Sequence, residues 1–214
     1  MTLKHFYTHE MSDAAPQRSH QNGFSLLELL VVMAVAGTMA VYAVMQIIPA
    51  VRNARAETAI QTVAGWMRRT QERAVDERRI YRLSFIAPQT LQIDRVNNTL
   101  PISFTFIQSI QLPNDVSFLT VAGLPTGANA PDGFGAGGLV PINLAVDYGG
   151  GLTQIFYQPD GRSLDQFNRM NSGVIYTCRA GEILSCRAAT VWGTTGRTKI
   201  WRVIKQGPVY VWTQ

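Results

Sequence analysis

The chain has 214 residues and a net charge of +5, material for one globular domain with a modest core once a long exposed helix is set aside. Its only histidines are His5, His9 and His20. Residues 24–214 therefore hold no imidazole, which excludes Ser-His-Asp and Cys-His catalysis from them and removes the commonest zinc ligand.

Residues 1–23 are neutral overall, Lys4 and Arg18 being offset by Glu10 and Asp13. Residues 24–48 are a run of 25 in which Glu28 is the only formal charge. As a helix rising about 1.5 Å per residue, the run reaches roughly 37 Å, more than the roughly 30 Å of bilayer hydrocarbon. A carboxylate within that span costs about 2.5–3.5 kcal/mol, so Glu28 points to function. A secretory signal has an apolar core of only about 7–15 residues. A plain membrane anchor fits the length but leaves Glu28 unexplained. Arg52 and Arg55 flank the far end as heavily as Lys4 and Arg18 flank the near one, so charge alone does not orient the segment.

Pro49 interrupts the run and is expected to kink the helix. Beyond it Ala56, Ile60, Val63, Met67, Thr70 and Ala74 recur at spacings of three and four, which predicts one buried face. Arg52, Arg55, Arg68, Arg69, Glu72, Arg73 and Glu77 occupy the other face, with Arg68–Glu72 and Arg73–Glu77 at (i, i+4) spacing. One helix is thus predicted from Phe24 to near Arg78, apolar all round in its first half and amphipathic in its second.

From Ile80 the period becomes two, and residues 80–85 and 91–96 read as a hairpin turning at Ala87-Pro88-Gln89. Further strands are predicted at 102–110, 116–121, 139–147, 152–158, 173–178, 188–193, 198–205 and 208–212. A loop rich in Gly, Pro and Ala spans 122–138, and Pro159-Asp160-Gly161-Arg162 is a turn. Gly133-Phe134-Gly135-Ala136-Gly137-Gly138 has the letters of a dinucleotide fingerprint but lacks the strand before and the helix after it; it reads as a flexible glycine loop. A long helix followed by an antiparallel β domain is an α+β arrangement.

Gly23, Phe24 and Glu28, the fifth residue counted from Phe24, resemble the class III leader of type IV prepilins and pseudopilins. The resemblance implies a leader at 1–23, cleavage after Gly23 by a prepilin peptidase on the cytoplasmic side, and N-methylation of Phe24. It also implies a membrane and filament-core helix at 24–48, its amphipathic continuation at 49–79 and a periplasmic β-rich domain at 80–214. Glu28 would pair with the amino group of a neighbouring subunit's Phe24 during assembly. The stretch 59–79 leading into a hairpin, residues 155–161, and Gly196-Arg197-Thr198-Lys199 resemble the GspH/FimT branch of minor pseudopilins and minor pilins. That branch implies a structural, non-enzymatic subunit of a type II secretion pseudopilus or a type IV pilus. Such a subunit has no cofactor, and its partners are the peptidase, other pilins or pseudopilins and the inner membrane.

Two further features belong to the carboxy-terminal third, where eight basic residues stand against two acids in 162–214. Cys178 and Cys186 read in an oxidising compartment as a disulfide closing a local loop, at about 2–3 kcal/mol, the alternative being two free buried thiols. Arg197, Lys199, Arg202 and Lys205 lie on or near a strand that also carries Trp192 and Trp201. Such cations could reach phosphates and such rings could stack bases. Some FimT-type minor pilins bind DNA for natural transformation through a glycine-arginine motif, which Gly196-Arg197-Thr198-Lys199 resembles. DNA is therefore an alternative partner. The competing reading is a hairpin with solvated charges beside two core tryptophans.

Overall fold

The computed structural model describes residues 25–97, 101–113, 115–135 and 140–214. One helix, α1 (Leu26–Asp76), runs unbroken through Pro49. The chain divides into two compact units between Met45 and Gln46, and each is taken by itself. In the first, residues 26–45 are helical and every one is exposed.

In the second unit the helix continues to Asp76, and all six positions of the anticipated apolar face are buried, joined by Ala59, Ala64 and Trp66. The helix stops where Arg78 adopts φ +49 and the Arg79 N–H donates back to the Ala74 carbonyl at 3.1 Å. A left-handed residue closing the last carbonyls is an ordinary helix terminator. Of the two (i, i+4) pairs, Arg73–Glu77 forms at 2.7 Å; among the described residues Arg68 and Glu72 make no ion pair.

The helix leads into two antiparallel sheets. The first contains β1 (Tyr81–Ile86), β2 (Thr90–Asn97), β3 (Ser103–Gln111), β5 (Gln154–Tyr157) and β6 (Ser163–Leu164), in the order β3-β2-β1-β5-β6. The second contains β4 (Ile142–Leu144), β7 (Gly173–Arg179), β8 (Glu182–Val191), β9 (Thr198–Gln206) and β10 (Val209–Thr213), in the order β10-β9-β8-β7-β4. One core joins helix and sheets: Ile60, Val63 and Met67 meet Leu83, Ile93 and Ile155 of the first sheet and Ile175 and Val191 of the second. The α+β arrangement is as the sequence implies.

Three expectations change. Residues 116–121 are not a strand; Ser117 makes a single bridge with Cys178. Val116 and Phe118 are apolar because they plug the core, while Leu119 and Val121 pack on a second cluster. The strand expected over 139–147 contracts to β4, because Ala145 turns left-handed at φ 57 and a 3-10 turn follows at Val146–Tyr148. The loop at 122–138 is not a loose glycine loop over its described part. Phe134 is buried against Val174, Tyr176 and Ala188, and a Cβ on Gly135 would stand 2.3 Å from that of Ala130. Residues 136–139 lie outside the described residues. This loop and the helix cover opposite sides of the second sheet, so β7 is buried from Gly173 to Cys178. β6 is too short for any periodic signal; it forms only because Phe156 and Tyr157 offer it a partner.

Candidate functional site

Gly23 and Phe24 lie outside the described residues. Ser25 precedes the helix, and its carbonyl accepts from the Leu29 N–H at 3.1 Å. Glu28 sits in the first turn, where a negative charge complements the partial positive charge of the helix amino terminus. Its neighbours Leu26, Leu27, Leu29 and Leu30 are all exposed. Among the described residues Glu28 has no ion-pair or hydrogen-bond partner. An acid on an apolar helix is costly wherever that helix is enclosed by lipid or protein. Leu26–Asp76 is the one described helix long and apolar enough to cross a membrane.

Where the second unit begins, the arginines that follow the apolar run are tied to the β domain. Arg52 reaches Glu182 at 3.4 Å and Arg55 reaches Asp115 at 3.4 Å. Arg179 links both acids, at 2.8 Å to Glu182 and 3.3 Å to Asp115. One turn further on, Arg187 donates to Glu57 at 3.0 Å. Burial pushes the Glu57 carboxyl up, but hydrogen bonds from Gln61 and Arg187 outweigh it and hold it below the usual range. The Arg52 and Arg55 pairs are half-exposed and contribute little singly, whereas Arg179 and Arg187 are largely buried. Beside them Cys178 and Cys186 are joined as a disulfide across the β7–β8 hairpin, Cα to Cα 4.2 Å.

The basic strand is arranged differently from its sequence appearance. Lys199 is not free: its ammonium donates to Asp132 at 2.8 Å. The other Asp132 oxygen accepts from Thr190 at 2.6 Å and from the Trp192 indole at 3.3 Å. Burial raises the Asp132 carboxyl, and these three donors more than reverse the effect, so it stays ionised below the usual range. Trp192 packs on Phe134, ring centroids 4.9 Å apart, and Trp201 is half-buried with its indole N–H donated to Thr190 at 3.2 Å. Trp201 is thus committed within the fold, while Trp192 stays exposed at one side.

Strand alternation then separates the remaining cations. Arg202 pairs with Arg187 across β8 and β9 and acts electrostatically on helix residue Glu57, so it lies on the helix side. Lys199 lies on the opposite side, under the loop that carries Asp132. Lys205 is exposed near the β9–β10 turn, and Arg197 is exposed in the preceding turn. The four do not form one patch.

Gly196 has a structural reason independent of any ligand. It adopts φ +64, and a Cβ there would stand 2.4 Å from both Gln71 Nε2 and the Gly161 carbonyl. Gln71 holds this junction, donating to Gly161 at 2.8 Å and to Thr195 at 2.9 Å. Asp132 and Gln71 escape sequence reading because their partners lie 67 and 90 residues away, and neither belongs to a motif.

Residues 18–44 match the prokaryotic N-terminal methylation motif. No curated protein and no solved structure matches the chain significantly. The motif begins type IV pilin-like precursors, and the matched stretch includes Gly23, Phe24, Glu28 and most of the apolar run. It implies processing by a prepilin peptidase, a single membrane-anchoring helix and assembly with other pilin-like subunits.

Proposed function

We propose that this chain is a minor pseudopilin or minor pilin of the GspH/FimT type, a non-enzymatic structural subunit of a type II secretion pseudopilus or a type IV pilus. One observation carries the reading: the methylation motif at 18–44 overlaps a helix whose residues 26–45 are apolar but for Glu28 and Thr38 and are all exposed. Such a surface is stable in lipid or against identical helices, not in water. In this reading the peptidase cuts after Gly23 and methylates Phe24, and the helix holds the subunit in the inner membrane with its β domain in the periplasm. On extraction the helix packs against neighbouring helices, where Glu28 meets the amino group of an adjacent Phe24. That pairing removes the cost of a lone carboxylate in an apolar surround and sets the register.

The second reading, a DNA-binding minor pilin of a transformation pilus, draws on the exposure of Arg197, Arg202 and Lys205. It is the weaker one, because Lys199 is neutralised by Asp132 and Arg202 lies on the helix side. One set of experiments addresses both. Mass spectrometry of the membrane-extracted protein should show a methylated amino terminus at Phe24, and Gly23→Val should accumulate precursor. Glu28→Val should insert normally yet stay out of filaments. An intact leader, or normal assembly of Glu28→Val, overturns the structural reading. A gel shift of DNA at low salt, flattened by Arg197→Ala, moves the assignment to the second.

A further inference from the structure

The outward face of the first sheet, turned away from the core, carries aromatic rings where an alternating strand normally presents polar side chains. Phe104 and Phe106 of β3 stand opposite Val96 and Asp94 of β2, and Phe156 of β5 stands opposite Arg82 of β1. Phe167, just past β6, is 63% exposed, and Ile102, just before β3, is 64% exposed. Ile102, Phe104, Phe156 and Phe167 wall a groove of about 690 Å³, within the range of pockets that hold a few side chains. Its floor is an ion pair. Arg82 donates to Asp94 at 2.7 and 3.1 Å and stacks over the Phe104 ring, 3.6 Å from its centroid. Asp94 also accepts from Gln92 at 2.8 Å and is almost wholly buried. The floor is thus neutral and rigid.

The groove continues past Ile80, Val96 and Gln158 into a second hollow of about 550 Å³, lined by Arg78 and Arg79. Among the described residues neither arginine has an ion-pair partner. Of the nearby acids, Glu77 pairs with Arg73 and also acts electrostatically on Arg79, Asp160 pairs with Arg162, Asp165 of the groove wall pairs with Arg169, and Asp76 is in no ion pair among the described residues. The lining is therefore aromatic with interspersed amides (Gln154, Gln166, Asn168) at one end and doubly cationic at the other. β3 beside it is an edge strand of nine residues, whose free backbone groups can pair with an added extended chain.

We propose that this groove binds an extended acidic, apolar segment of a partner polypeptide, seating an aromatic or aliphatic side chain between Phe104, Phe156 and Phe167 and a carboxylate at Arg78 and Arg79. Charge complementarity selects this occupant: two neighbouring arginines outside any ion pair, at one end of an aromatic groove, call for a carboxylate beside an apolar side chain. A nucleic-acid duplex would leave the aromatic end unused, a single strand would stack there but offers no extended peptide backbone to pair with edge strand β3, and a neutral glycan would leave the cationic end unused. The inference stands apart from the pilin reading, since it rests only on the second unit.

Full-length protein in detergent micelles, challenged with phage displaying random 12-residue peptides, provides the test. Enriched peptides should carry an aromatic or large aliphatic residue within a few positions of Asp or Glu. Synthesised with a fluorophore, they should bind at least tenfold more weakly to Ile102→Ser/Phe167→Ser, whose positions are exposed enough to leave the melting temperature unchanged. Arg79→Glu should weaken them similarly, and 0.5 M salt should remove most of the difference between Arg79→Glu and the native protein. Four outcomes overturn the proposal: no enrichment over the Ile102→Ser/Phe167→Ser protein, enriched sequences without a carboxylate, self-association abolished by the same substitutions, or groove-dependent retention of neutral oligosaccharides in place of peptides.

Discussion

The two halves of α1 share a helix and differ in what covers them. From 26 to 45 the side chains are apolar on every side and all exposed. From 56 to 74 the apolar residues are fewer, confined to one face, and nearly all fully buried. The more hydrophobic half is thus the one that contributes nothing to the internal core. Burial within a chain follows the pattern of apolar residues, because only a striped helix can present one face to sheets and the other to water. Uniform apolarity instead specifies an environment, either lipid or a bundle of like helices.

Substitutions in the two halves should therefore separate cleanly. Ile60→Ala, at a fully buried position, should lower the unfolding free energy of the domain by about 2–5 kcal/mol. Val41→Ala, 60% exposed in the first half, should leave it within about 0.5 kcal/mol of the native value. Urea titration of the detergent-solubilised protein measures both, and equal losses would break the comparison.

Two glycines sharpen it. Gly196→Ala forces a side chain into the Gln71–Gly161 junction at φ +64 and should cost about 1–3 kcal/mol. Gly65 lies on the exposed side of the second helical half with nothing within 4 Å of a Cβ, so Gly65→Ala should stabilise by about 0.5–1 kcal/mol. A destabilising Gly65→Ala would mean that this face is covered.

The smallest effect near neutrality is that of acid. Burial raises and hydrogen bonding lowers the carboxyls of Glu57, Asp132 and Asp165, with a net fall in each. Because the folded values lie below the unfolded ones, the unfolded chain binds more protons in that window and stability declines as pH falls. Melting temperature should be flat from pH 7 to about 5 and decline below about pH 4, the ordinary carboxylate range. The transition reported by the β domain should show this decline. Asp132→Asn should flatten part of it; an unchanged profile would show that the Lys199 pairing is not formed.

Local periodicity made much of this molecule legible. The buried face of the second helical half, the β1–β2 hairpin and the turn at Pro159 to Arg162 depend on neighbours within a few residues, and each is where its pattern places it. Residues 116–121 misled because apolarity there serves a plug and not a ladder; composition does not record which. The charges at 197–205 meet the same limit. A lysine beside two tryptophans fits a nucleic-acid surface or a solvated hairpin, and its pairing with Asp132 on a distant loop is not visible in its own segment.

By itself the sequence determined the apolar helix, its solitary acid, the striped face that follows and the antiparallel class, because these are properties of spacing along one chain. Only the tertiary structure decided which cations are free, why Gly196 is a glycine, that the 122–135 loop seals the second sheet, and that Phe104, Phe156 and Phe167 meet across the first. Each of those depends on residues brought together from far apart in the chain, and pairing over such separations leaves no periodic trace in the segments that make it.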